Sequence, residues 1–143
     1  MADNDTRVEA GAKRFRVSRV ATVAEEVALL FGTVAAKLVL VFAPVFAGLI
    51  DSALTRMGLA SPVLSEPVGS ALTDMRAWVL GFSLLWYVLV TLWWILHYPI
   101  DPEHHDFEWY AMHVGLAALG LYAWALVPAV VSIFVAVFPA GIG

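Results

Sequence analysis

Two long apolar runs set close together constrain this chain most: Ala77–His97 and Ala111–Phe138, joined by the acidic connector Tyr98–Tyr110. The first run has 21 residues and the second 28, and neither contains Asp, Glu, Lys or Arg. At a rise of 1.5 Å per helical residue, the shorter run reaches about 31 Å, the thickness of a bilayer's hydrocarbon core. In water such a pair would expose more apolar surface than a soluble domain tolerates. The expected fold is an all-α integral membrane protein with three transmembrane helices. The last two form a helical hairpin, and a basic interfacial segment precedes the first.

The first of the three helices comes from Val27–Ile50, an apolar run bracketed by Glu26 and Asp51 and long enough to cross with some tilt. Pro44 removes a backbone donor within it and should kink it. The organisation read from the sequence is a polar and basic segment over 1–26, a membrane domain over 27–138 and a short tail over 139–143. The expected spans are about 27–50, 77–97 and 111–138. Over 51–76, Gly58, Pro62, Pro67 and Gly69 break any long helix, and Ser70 is a candidate N-cap for the second span. Asp101-Pro102-Glu103 reads as the start of the third.

Met1–Gly11 is polar without an apolar period, and loose order is expected there. Lys13, Arg14, Arg16 and Arg19 follow, interleaved with Phe15 and Val17, and suit a surface of anionic headgroups. Four bases without a recognisable nucleic-acid fold do not point to nucleic acid. The expected partners are the lipid bilayer and other membrane protein subunits, with a second copy of the chain among the candidates. Five bases precede the first span, two lie in the first connector and none in the second, which places the N-terminus inside and the C-terminus outside. Trp93, Trp94, Tyr98, Trp109 and Tyr110 form an aromatic belt around the second connector.

Two stripes indicate how the helices meet. Ala111, Gly115, Ala118, Ala125, Ala129, Ser132 and Ala136 recur at spacings of three and four, with Tyr122 filling the gap, and make a seam for close backbone approach. Packing within the chain is favoured over oligomerisation for that seam. Ser83, Tyr87, Thr91, Trp94 and Tyr98 share one face of the preceding helix and should face protein. Lys37, Tyr87 and Tyr122 fall at similar depths, so the Lys37 amine is expected to meet one or both phenols, with Ser83 nearby.

Chemistry is sparse. The absence of cysteine excludes disulfides, thiolate metal sites and cysteine nucleophiles. Every carboxylate lies outside the spans, and no phosphate-binding glycine loop occurs. His97 and His113 are candidate cofactor ligands, and His104, His105 and Asp106 candidate metal ligands, for haem or a transition metal. No catalytic residue is assigned, and an enzyme is not expected. The reading that follows is a structural or accessory subunit of a larger membrane assembly: a respiratory or photosynthetic complex, or a membrane-containing virion. A haem- or metal-bearing electron-transfer subunit and an oligomeric, holin-like pore are the alternatives.

Overall fold

The computed structural model describes residues 2–97, 99–100 and 107–139. It divides into two compact units, Met1–Lys37 and Leu38–Gly143.

The first unit is one helix. α1 runs from Ala2 to Val41, its last four residues belonging to the second unit. Loose order is expected for Met1–Gly11, and over residues 2–11 the chain is instead helical, continuous with the rest of α1. The sequence over 2–41 has no proline and eight alanines, so nothing stops a helix from propagating back to the start. Lys13, Arg16, Arg19 and Lys37 are exposed on it, as are Val20, Val27, Leu30 and Phe31.

The second unit opens with a break. Phe42 leaves helical geometry (φ −104°, ψ 21°), and α2 follows over Ala43–Arg56 with Pro44 in its first turn. The apolar run 27–50 is thus divided at Phe42 rather than only kinked at Pro44. Proline is tolerated in a helix's first turn, where its missing N–H would have had no intrahelical acceptor. α2 ends in a reciprocal pair of bonds, Leu59 N–H to Leu54 O at 2.9 Å and Gly58 N–H to Thr55 O at 3.0 Å. This closure needs a left-handed residue just past the helix, and Gly58 supplies it with φ +74°.

α3 spans Glu66–His97 and α4 spans Phe107–Val137. Ser70 does not cap α3. The helix begins four residues earlier, the Ser65 carbonyl taking the Gly69 N–H at 2.8 Å, and the Ser70 hydroxyl donates to Pro67 O inside the first turn. The start expected for the last helix near residue 102 lies outside the described residues. α3 and α4 are each long and apolar enough to cross a membrane. A third crossing exists only if Arg19–Val41 and Ala43–Arg56 are taken together across the bend.

α4 is the centre of the second unit. Ala118, Leu121 and Ala125 pack against Ala43 and Ala47 of α2. Alanine facing alanine lets two helix backbones approach closely. Nearer the start of α4, Tyr110 and Val114 pack against Val90 of α3. At Gly120 α4 lies close against α3: an added Cβ would collide with Ser83 Oγ and lie 3.2 Å from Ser83 Cβ.

Candidate functional site

The chemistry of the second unit lies in its polar side chains, most of which are directed at backbone carbonyls. A helix leaves its last four carbonyls without intrahelical donors, and a proline removes the donor four residues ahead of any carbonyl. In an apolar medium each orphan is costly, because no water replaces the missing partner.

At the α1 break, Leu38 O keeps the Phe42 N–H at 2.9 Å. The donors that would have reached Val39, Leu40 and Val41 belong to Ala43, Pro44 and Val45, which begin a new helix. Two phenols substitute. Tyr122 of α4 donates to Val39 O at 2.9 Å, and Tyr87 of α3 donates to Val41 O. Tyr87 and Tyr122 therefore converge on the end of α1, each giving its proton to a main-chain carbonyl.

The second repair is inside α4. Pro128 has no N–H for Trp124 O, four residues before it, yet the helix continues to Val137. Arg76 of α3 fills the gap, with Nε donating to Trp124 O at 3.1 Å. Its Nη2 meets Asp51 Oδ1 of α2 at 3.0 Å, and the guanidinium lies 5.2 Å from the Trp124 ring centroid. One side chain thus joins α2, α3 and α4. Beyond it, Ser132 Oγ donates to Leu59 O at 2.9 Å and ties α4 to the loop after α2.

The remaining sites expected from sequence fall as follows. Ser83 is buried against Gly120, and Tyr87, Thr91 and Trp94 are half-buried on the same face of α3. Thr91 Oγ1 and Tyr110 Oη are 3.2 Å apart. Of the small-residue seam, Ala118, Ala125 and Ala129 are buried, Ala111, Gly115 and Ser132 half-buried, and Ala136 exposed. His97 stacks on Trp93 and His113 on Trp109, each with 4.0 Å between centroids, and the two indoles meet at 4.7 Å. Two indoles therefore lie between the imidazoles in this chain of contacts, and His113 Nδ1 is 2.8 Å from Trp109 O. Two axial ligands to one haem would have to face each other across it. Among the described residues no group of three or more His, Asp or Glu side chains is placed to hold a metal ion. His104, His105, Asp106 and Tyr98 lie outside the described residues, as does the Arg14 side chain.

The sequence reading missed Gly120 and the Arg76–Asp51–Trp124 group. A signal for the latter was present: a proline in an apolar helix identifies, by counting back four, the carbonyl that needs a donor. The fold defines an all-helical chain with two helices long and apolar enough to cross a membrane. No protein-family model, curated protein or solved structure matches it.

Proposed function

We propose that this chain is an integral membrane protein that crosses the bilayer three times and serves as a non-catalytic structural subunit of a larger membrane assembly. The bent pair of α1 and α2 makes the first crossing, and α3 and α4 make the other two. The N-terminus lies inside, where Lys13, Arg16 and Arg19 meet anionic headgroups, and the C-terminus lies outside.

One observation carries this reading: the second unit is arranged opposite to a water-soluble protein. Trp78, Phe82, Leu85, Leu89, Met112, Leu116 and Leu119 point outward, each at least half exposed. Ser83, Tyr87, Arg76 and Asp51 turn inward. Such an outer face suits lipid and neighbouring subunits, and polar groups directed to backbone carbonyls serve architecture rather than turnover.

The test is extraction followed by purification from the native membrane. The chain should remain in the pellet after alkaline carbonate washing. It should then co-purify in mild detergent at fixed stoichiometry with other membrane proteins identified by native mass spectrometry. Release by carbonate overturns the membrane reading. A chain that leaves the membrane alone, as a monomer, overturns the subunit reading.

A further inference from the structure

We propose that the cavity beside Arg76 binds the phosphate of a phospholipid headgroup. The cavity is about 270 Å³ and is bounded by Ser61, Pro62, Leu72, Thr73, Arg76 and Pro128. Its wall is mainly polar, whereas the larger groove along Trp78, Phe82 and Leu85 is mainly apolar. Drug-sized ligands occupy roughly 300 Å³ or more, so there is room here for a headgroup but not for a whole lipid.

The inference rests on the membrane reading, because Arg76 is the last charged residue before the apolar run of α3 and so sits at headgroup depth. Its guanidinium is held in place: Nε is on Trp124 O, Nη2 is on Asp51, and the plane is packed over Trp124. Guanidinium carries five N–H donors in a fixed fork suited to phosphate oxygens, and those two bonds use only part of it. Ser61, also on the wall, carries a hydroxyl able to donate. Thr73 gives its own proton to Gly69 O at 2.9 Å and contributes shape rather than donation. Asp51 offsets the arginine's charge, so recognition of a phosphodiester here rests on the remaining guanidinium N–H donors rather than on net charge.

The experiment uses the full chain, purified and delipidated, with native mass spectrometry reading retained ligand. Three probes are compared: a short-chain phosphatidylglycerol, the diacylglycerol with the same chains, and water-soluble glycerophosphoglycerol. Two variants accompany the wild type. Arg76→Gln removes the fork. Gly69 also lines the cavity, so Gly69→Leu puts side-chain volume into it, and a Cβ there would meet only Leu64 Cβ at 3.9 Å, an ordinary contact. The expected result is one retained phosphatidylglycerol per chain, at least tenfold less in either variant, and no comparable retention of the other two probes. Equal retention of diacylglycerol, or undiminished retention by Gly69→Leu, overturns the proposal. So does binding of the water-soluble diester as tight as that of the lipid, which would assign the cavity to a soluble phosphate ester. Release of the chain by carbonate would instead remove the membrane reading itself, so the two failures are distinguishable.

Discussion

Pro44 and Pro128 lie in equally apolar sequence and have opposite consequences. Near Pro44 the helix ends, the chain turns at Phe42, and a new helix begins. At Pro128 the helix runs through. Where the chain breaks, several carbonyls lose their donors together and two hydroxyls on separate helices serve two of them, Val39 and Val41. Where the helix continues, one carbonyl is orphaned and one guanidinium, itself tied to Asp51, serves it. At these two defects the polar side chains reach the carbonyls that the break and the proline leave without donors. The guanidinium is the costlier group to hold away from water, which is why its own pairing with Asp51 accompanies the repair at Pro128.

The largest effect should come from removing the arginine. Arg76→Leu leaves Asp51 without its cation and Trp124 O without a donor. Losing one partner of a fully buried pair costs about 3–5 kcal/mol, and with side chains 22% and 27% exposed we expect about 2–3 kcal/mol here. Reversible unfolding of the detergent-solubilised chain, followed by circular dichroism, measures it. A loss under about 0.5 kcal/mol, the lower end of a single hydrogen bond's net worth, would mean that Arg76 is not what sustains α4 through Pro128.

Next comes Gly120→Val, which forces side-chain volume onto Ser83 where α4 meets α3. Overpacking of this kind costs about 1–3 kcal/mol. The double variant with Ser83→Gly should recover more than half of the loss, because it removes the atoms in collision. Failure of that rescue would show that the two helices do not meet where these residues place them.

A smaller but sharper test concerns Pro128 itself. Pro128→Ala restores an N–H four residues beyond Trp124, so the carbonyl no longer depends on Arg76. In that background Arg76→Leu should cost about 1 kcal/mol less than in the wild type, the net worth of one hydrogen bond. Additivity of the two substitutions would separate the proline from the arginine and end the comparison.

These residues also show how much the sequence could disclose. The hairpin was legible because absence of charge over 21 and 28 residues is a property of composition, and needs no knowledge of neighbours. The inward face of α3 was legible too, since Ser83, Tyr87, Thr91 and Trp94 recur at helical spacing. What those side chains touch was not. Equal depth led to the expectation that the Lys37 amine meets Tyr87 or Tyr122, and depth by itself does not disclose the carbonyls released at Phe42, which is an ordinary residue in an apolar run. The start of α3 was missed because Pro67 reads as a breaker when it stands in a first turn, where it is harmless. Gly120 is absent from the small-residue seam because it meets a serine on α3 rather than the alanines of α2.

The smallest expected effects distinguish the α1 break from the site at Pro128. Tyr87→Phe and Tyr122→Phe each remove one donor while keeping the ring, and interhelical hydrogen bonds within membranes are worth about 0.6 kcal/mol on average. Pro44→Ala offers a new N–H in sequence register with Leu40 O only. It cannot relieve Val39 or Val41, whose donors come from α4 and α3. The phenylalanine variants should therefore cost the same in the wild-type and Pro44→Ala backgrounds, in contrast to the coupling expected between Pro128 and Arg76. If Pro44→Ala instead abolishes the cost of both phenylalanines, helix α1 has continued through Phe42. The break would then be a product of the proline alone, with the two tyrosines merely occupying a gap that it left.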